Sequence, residues 1–320
     1  MNIDKIKEYI ANPRNILYWL DLKRVITLED KEYLKILYRK VFKKELDLNN
    51  PQTFNEKLQW LKLNDRKDVY TTMVDKYEVK KYVSDIIGKE YIIPTLGIYD
   101  NFDEIDFNKL PNQFVIKCTH DSGGVVICKN KEKLDIKEAK RKIDKSLKNN
   151  YYYSGREWPY KNVKPRIIID EYIEDKIRHE LVDYKIYAFN GKCDYVMACF
   201  DRFNGGPKFI YFDRDWNIKK EFSSDGLKYG NNIELTKPKN LDKMFESAEK
   251  LSKGIPFVRV DFYEANGKMY FGELTFYPSS GFDNTRTPEI KEYLNKKLKI
   301  KGEDYEKNRI FNQWERKWKA

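Results

Sequence analysis

No stretch of this 320-residue chain approaches the roughly 20 consecutive apolar residues that a membrane-spanning helix needs, so no span is expected. The opening residues, Met1-Asn-Ile-Asp-Lys-Ile-Lys-Glu8, carry charges where a signal peptide would have an apolar core, and give no sign of export. Cysteine and histidine are scarce. Cys118, Cys128, Cys193 and Cys199, with His120 and His179, form no C-x-x-C pair, and three of the cysteines fall inside apolar strand patterns. Buried free thiols in a reducing cytoplasm are expected rather than a zinc site. An arginine-rich arm, a Ser-His-Asp arrangement, an internal repeat and a low-complexity linker are all missing.

Charge is abundant. Charged residues make up 35% of the chain, as expected of a folded protein with a heavily solvated surface, and the net charge is +11. That excess raises nucleic acid as a partner. The lysines, however, alternate with glutamates along helical stretches such as Lys131-Glu-Lys-Leu-Asp-Ile-Lys-Glu-Ala-Lys-Arg141, the pattern of a solvated helix face. An anionic small substrate, such as a nucleotide or an acidic glycan, would use the same field, and no nucleic-acid partner is expected.

The length allows two or three subdomains. Residues 1–50 read as a helical segment, with Tyr33-Leu-Lys-Ile-Leu-Tyr38 as its core stripe. A helix resumes at Phe54 behind a Thr53 cap, and another runs from Asp75 to Ile87. From Phe114 strands alternate with helices, and Asn190-Gly191 and Asn266-Gly267 mark hairpins. Adjacent hairpins mixed with helices predict an α+β architecture of antiparallel sheets rather than one doubly wound sheet.

Four stretches point to chemistry. Phe114-Val-Ile-Lys-Cys-Thr-His-Asp-Ser-Gly-Gly-Val-Val-Ile127 ends a buried strand on Lys117 and continues into a bare polar loop. Backbone without side chains lets several N–H groups close on a phosphate, although a hairpin loop beside a chance lysine reads equally well. Val258-Arg-Val-Asp-Phe-Tyr263 and Met269-Tyr-Phe-Gly-Glu-Leu-Thr275 embed Asp261 and Glu273 in apolar strands. Strict alternation would put Arg259, Asp261 and Tyr263 on one face, and Tyr270, Gly272 and Leu274 on one face of the partner strand. Buried carboxylates need an arginine, a lysine or a metal; with Thr275 this set suits Mg²⁺, and an Arg259–Glu273 salt bridge is the plain alternative. Ile167-Ile-Ile-Asp-Glu-Tyr-Ile-Glu-Asp175 is a buried strand running into acids, the kind of end that can border an adenine. Asp183-Tyr-Lys185 then sets an acid and a lysine on one strand face, where Lys185 meets a phosphate or the two neutralise each other.

In order and spacing these elements, with Thr53-Phe-Asn-Glu-Lys-Leu-Gln-Trp60, Asp75-Lys-Tyr77, His120-Asp-Ser-Gly-Gly124 and Phe271-Gly-Glu-Leu-Thr-Phe-Tyr-Pro278, resemble the TupA-like (teichuronopeptide biosynthesis) family of the ATP-grasp superfamily, over roughly residues 50 to 285. The resemblance implies two α+β subdomains clasping ATP. It divides the chain into an N-terminal helical segment 1–50, an N-terminal ATP-grasp region 51–112, a lid subdomain 113–175, a C-terminal subdomain 176–288 with the metal site, and a helical tail 289–320. On that pattern Lys117, and with it Lys76, would hold phosphates, while Asp121, Ser122, Gly123 and Gly124 close over them. Glu171 and Ile173 would border the adenine, and Glu180 or Asp183 would reach the ribose. Lys185, Arg202 and Arg259 would face the transferred phosphate, and Asp261, Glu273 and Thr275 would bind Mg²⁺. Thr275 stands where many superfamily members have asparagine, a departure that resembles the TupA-like branch.

The activity implied is an ATP-dependent carboxylate–amine ligation through an acyl phosphate, in cell-surface polysaccharide biosynthesis. Its substrates would be a small molecule or glycan bearing a carboxylate, and an amine. Arg156, Tyr160, Arg202 and Arg286 are candidates for the substrate rim, and His120 for a contact to phosphate or substrate, a surface loop histidine being the plain alternative. The rivals are a glycosyltransferase using Asp213-Arg-Asp215 as a D-x-D metal site, a sugar kinase of the same fold, and a basic binding module without turnover. Phe212-Asp-Arg-Asp-Trp-Asn217 reads better as a turn.

Overall fold

A computed structural model of the chain describes residues 14–202 and 206–300. Helices α1 (Arg14–Leu22), α2 (Asp30–Phe42), α3 (Phe54–Asn64), α4 (Val69–Val74) and α5 (Glu78–Ile87) come first. Strands β1 (Thr95–Tyr99), β2 (Phe114–Cys118), β3 (Val125–Cys128) and β4 (Ile167–Glu171) make an antiparallel sheet of order β1-β4-β2-β3. Helix α6 (Ile136–Leu147) and the single turn α7 (Tyr152–Gly155) lie between β3 and β4. Strands β5 (Asp183–Ala188), β6 (Tyr195–Phe200), β7 (Lys208–Asp213), β8 (Val258–Ala265) and β9 (Lys268–Thr275) form a second antiparallel sheet, β7-β6-β5-β8-β9, with α8 (Ser224–Tyr229) and α9 (Leu241–Leu251) inserted before β8. Helix α10 (Pro288–Lys297) follows; the rest of the expected helical tail, beyond residue 300, lies outside the described residues. Among the described residues no helix is long and apolar enough to cross a membrane.

Local chemistry explains the boundaries. The Thr53 hydroxyl accepts from the Glu56 N–H at 3.2 Å while the Glu56 carboxylate accepts from the Thr53 N–H at 2.8 Å, a reciprocal cap that starts α3. Asn190 and Gly191 (φ 47° and 79°) and Asn266 and Gly267 (54° and 75°) take the left-handed turn conformation that matches the twist of the strands they join. Helix α9 buries Leu241, Met244, Phe245, Ala248 and Leu251 at helical spacing in the core of the larger sheet. Ala139 and Ile143 of α6 do the same in the core of the smaller sheet. All four cysteines are buried and free, as expected.

One departure reshapes the site. Asp261 pairs with Glu273, but its neighbour Phe262 pairs with Phe271, so Gly272 is an extra, unpaired residue in β9. This bulge breaks the strict alternation expected from sequence. Glu273 and Thr275 consequently sit opposite Asp261 and Arg259, while Tyr270 sits opposite Tyr263. A Cβ at position 272 would lie 2.9 Å from the Asp261 carbonyl oxygen, so only glycine fits.

Two residues expected on the substrate rim are structural. Arg156 is wholly buried, paired with Asp21 at 2.6 Å and Asp30 at 3.2 Å and laid over the Tyr33 ring at 4.0 Å; it fastens α1 and α2 to the body. Arg286 binds Asn55 and Asp283 and covers the Phe54 ring, joining the segment before α10 to α3. A buried guanidinium with two carboxylates and a ring as partners has no face left for a ligand. The Asp213 carboxylate accepts from the Asp215 and Asn217 N–H groups at 3.0 and 2.8 Å, and Arg214 pairs with Glu249, so the D-x-D triplet is a turn.

Candidate active site

On the smaller sheet, Lys117 at the end of β2 reaches Asp170 of β4 at 3.1 Å, and Lys80 of α5 reaches the other oxygen of the same carboxylate at 2.5 Å. The Asp170 side chain is only 4% exposed and could not stay charged there without both partners. Lys80 also donates to the Ile93 carbonyl and the Thr95 hydroxyl, so it is a strut, whereas Lys117 is a quarter exposed. Neither Lys80 nor Asp170 was singled out from the sequence. A lysine on one helix face and an acid inside a strand give no local signal of their pairing.

The glycine loop is tighter than a free lid. The Asp121 carboxylate accepts from the Gly124 N–H at 3.1 Å and from the Ser146 hydroxyl, and the Asp121 carbonyl accepts from Lys76. Gly124 is packed so closely that a Cβ there would strike Ser146. Asp121 and Gly124 are therefore fixed, and Ser122-Gly123 is the exposed tip with open space around it. His120, a candidate for a phosphate contact, is instead buried beneath the loop, its Nε2 3.0 Å from the Asn149 carbonyl and 3.2 Å from that of Ser146.

Across from this loop, on β5, β8 and β9, acids and bases are interlocked. Arg259 clasps Asp261 with two bonds of 2.6 and 2.7 Å and extends to Glu273 at 3.2 Å and to the Thr275 hydroxyl at 3.0 Å. Lys185 lies between Asp183 (2.5 Å) and Asp261 (2.6 Å), and Arg202 completes the chain at Asp183, 2.7 Å. Three carboxylates face three cations, so the cluster is electroneutral. Burial and the neighbouring Asp261 charge push Asp183 above the usual carboxylate range. Burial works the same way on Asp261, but Arg259 and Lys185 outweigh it and hold the group low. The structure shows the salt-bridge alternative read from the sequence, Arg259 to Glu273 included, and it gathers Asp261, Glu273 and Thr275 around that arginine.

The fit to a metal is therefore conditional. Asp261 has both oxygens engaged, and among the described residues no group of three or more His, Cys, Asp or Glu is arranged around a common ion position. Glu273, with its side chain 48% exposed, and Thr275 are hard-oxygen donors of the kind Mg²⁺ takes when phosphate oxygens and water complete its shell. The set suits an ion that arrives on a phosphate rather than a resident one.

Lys76, just before α5, donates to the Asp121 carbonyl. Burial lowers the Lys76 pKa, Glu273 and Asp121 oppose that shift, and Lys117 adds to it. Glu171 is exposed at the end of β4, its N–H held by the Pro94 carbonyl, and Ile173 is half-buried just beyond. Glu180 and Asp183, the candidates for a ribose contact, are committed within the protein: Glu180 accepts from the Asp201 N–H at 2.9 Å, and Asp183 holds Lys185 and Arg202.

A further group escaped the sequence reading. Ser279 and Ser280, just after β9, both adopt left-handed backbone (φ 51° and 50°), a conformation costing roughly 1–2 kcal/mol per non-glycine residue. Buried Lys62 of α3 holds this turn by donating to the Ser280 and Gly155 carbonyls at 2.7 and 2.6 Å, and Gln59 donates to that of Gly281 at 2.8 Å. The Ser280 hydroxyl donates to buried Glu157 at 2.6 Å. Burial pushes the Glu157 carboxyl up, against the pull of Lys62. The Tyr151 hydroxyl lies near those of Ser122 and Ser280, and Tyr160 packs edge-on against Tyr151 at 4.9 Å. Tyr160 thus lies by the cluster, within the electrostatic reach of Glu273 and Arg259. The strained turn left only a plain Ser-Ser-Gly in the sequence.

Comparison with known proteins follows the same lines. No curated protein matches the chain. Similar solved structures include D-alanine–D-alanine ligase from Bacillus anthracis, at 16% identity and TM-score 0.38, covering 69% of this chain and 62% of that one. The Helicobacter pylori D-alanine–D-alanine ligase is 15% identical, TM-score 0.41, covering 77% and 69%. A D-cycloserine synthetase is 14% identical, TM-score 0.38, covering 72% of each. The chain thus spans less than two thirds of the length of the Bacillus anthracis ligase. The family described as TupA-like ATPgrasp matches residues 56–299, well over half of the chain. A match of that extent makes this chain a member of the TupA-like ATP-grasp family, the one its motifs resemble.

Proposed function

We propose that the protein is an ATP-dependent carboxylate–amine ligase that makes an amide through an acyl phosphate, acting in the cytoplasm on a carboxylate-bearing small molecule or glycan of cell-surface polysaccharide biosynthesis. The observation that carries the reading is quarter-exposed Lys117 beside the glycine loop, whose Asp121 carbonyl accepts from Lys76, in a chain that the family match covers from residue 56 to 299. A triphosphate between the sheets would meet Lys76, Lys117 and the Ser122-Gly123 tip on one side and Arg259, Lys185 and Arg202 on the other. The adenine would lie along Glu171 and Ile173. Glu273 and Thr275, with Asp261 behind them, would hold Mg²⁺ brought in by the nucleotide. The ion would supply charge neutralisation at the phosphates.

The chemistry then needs positioning and electrostatics rather than a protein nucleophile. A carboxylate oxygen attacks the terminal phosphorus and ADP leaves. An amine nitrogen attacks the acyl carbon, the C–N bond forms, and the C–O bond to phosphate breaks with its electron pair leaving on phosphate. Arg259 stands where it can release part of its hold on Glu273 and Thr275 to meet the phosphate oxygens. We place the acceptor on the margin lined by the Tyr151, Ser122 and Ser280 hydroxyls, with Glu157 behind Ser280 to take up the proton the amine sheds.

Purified protein, Mg-ATP and a panel of uronic acids, amino acids and amino sugars test this through ADP release and product mass. An amide plus free phosphate supports the ligase; a phosphorylated sugar would make it a kinase. Lys117→Ala and Glu273→Ala are expected to lose turnover by about 1,000-fold or more; Glu273→Ala melts near wild type, and Lys117→Ala melts lower because Asp170 is left with Lys80 alone. Wild-type rates in either variant would overturn the assignment.

A further inference from the structure

Helix α1 is built inside out. In the run Ile16 to Leu22 the one charged residue, Asp21, is 2% exposed, gripped by Arg156 and by the Leu28 N–H at 2.7 Å. Tyr18, three positions before it, is half-buried with its ring 5.3 Å from that of Tyr33. Those two make the inner face. Ile16, Leu17, Trp19 and Leu22 stand 39–43% exposed on the remaining arc, and Val25, in the turn that follows, is 66% exposed. A water-facing surface helix has the reverse arrangement, apolar side inward and charge outward. One exposed leucine needs no explanation, but a neighbouring set on a helix whose acid is turned inward does.

The charges around the patch say what covers it. Lys23 and Arg24 are exposed between Leu22 and Val25, and Lys40 lies 5.5 Å from the Tyr18 ring. Of the nearby acids, Asp21 and Asp30 are held by Arg156 and Glu32 by Lys35, which leaves Glu29 exposed against Lys23, Arg24 and Lys40. An apolar face carrying a tryptophan and edged mainly by cations has the composition of an interfacial helix on anionic lipid. The net charge of +11 draws the chain to such a surface and opposes a second copy of itself. The patch precedes the family match, which begins at residue 56, yet it is bolted to the body through buried Arg156. Movement of α1 would carry the enzyme with it.

We propose that α1 and the turn after it are a membrane-interface contact that seats the protein on an anionic lipid surface. Ile16, Trp19, Leu22 and Val25 enter the boundary between headgroups and acyl chains, while Lys23 and Arg24 lie among headgroup phosphates. This stands independently of the proposed reaction.

Flotation of the full chain with phosphatidylcholine vesicles, with and without phosphatidylglycerol, tests it. Binding is expected with phosphatidylglycerol and is weakened by added salt. It falls about tenfold or more in Trp19→Glu/Leu22→Glu, while Ile177→Glu, at a site 86% exposed elsewhere, binds as wild type. Val25→Glu, in the turn and outside the helix packing, gives the same loss if the double variant proves unstable. Brominated lipid is expected to quench a share of the tryptophan emission that is absent in Trp19→Phe. No binding to phosphatidylglycerol vesicles, or binding that survives both Val25→Glu and the double variant, would overturn the proposal. So would a dimer in sedimentation that Val25→Glu dissolves without any effect of lipid.

Discussion

Replacing Gly272 by alanine tests the link between backbone and site. The bulge at this residue keeps Glu273 and Thr275 on the face of Arg259 and Asp261. An added Cβ would lie 2.9 Å from the Asp261 carbonyl oxygen and 3.1 Å from the Tyr263 ring. The first neighbour is ladder backbone of β8 and cannot step aside alone. Overpacking of this kind costs about 1–3 kcal/mol. A loss of even 1–2 kcal/mol lowers the folded-to-unfolded ratio about 5- to 30-fold. The alternative relief is to erase the bulge, which would turn Glu273 and Thr275 to the opposite face and cancel the site. Urea unfolding followed by far-UV circular dichroism reads the first outcome, and Mg-ATP binding by calorimetry reads the second. Gly123→Ala is the control for the unfolding measurement alone, since a Cβ there meets nothing within 4 Å but the residue lies at the proposed phosphate-facing tip. A Gly272→Ala protein as stable as wild type, with unchanged nucleotide affinity, would refute the reasoning.

The other predictions concern the charges. Asp170→Asn leaves Lys80 and Lys117 facing each other without their shared carboxylate and should cost about 1–3 kcal/mol, discounted for the partial exposure of the lysines; Lys80→Met in the same chain should restore part of it, which a double-mutant cycle in urea measures. Because the acid–base cluster is already neutral, Mn²⁺ titrated into the protein alone should show no site by paramagnetic resonance, and a site should emerge with a nonhydrolysable nucleotide; tight binding without nucleotide would contradict this. Asp261 is held low by Arg259 and Lys185 against its burial, so its stabilisation is complete above its unfolded pKa of about 4 and is lost as pH falls through the lower folded value. The melting-temperature gap between wild type and Asp261→Asn should therefore be widest near neutrality and shrink under acid; a gap independent of pH would exclude the linkage.

Local patterns carried much of the architecture. The Thr53 cap, the two Asn-Gly turns and the helical spacing from Leu241 to Leu251 depend on neighbours within a few residues, and the sequence alone determined them, along with the free thiols and the family. It also brought Lys117, Arg259, Asp261, Glu273 and Thr275 forward, because a charge inside an apolar strand is costly and conspicuous. What each of those charges meets was decided only in three dimensions. Arg156 and Arg286 read as free cations until the fold enclosed them, and His120 read as a loop residue until α6 covered it. The Asp170–Lys80 bridge, the Glu157–Ser280 pair and the Gly272 bulge join residues far apart in the chain or turn on a single unpaired peptide. Composition and periodicity report which groups must find partners; only the packed chain, where distance and burial fix the electrostatic energy, selects which partners they find.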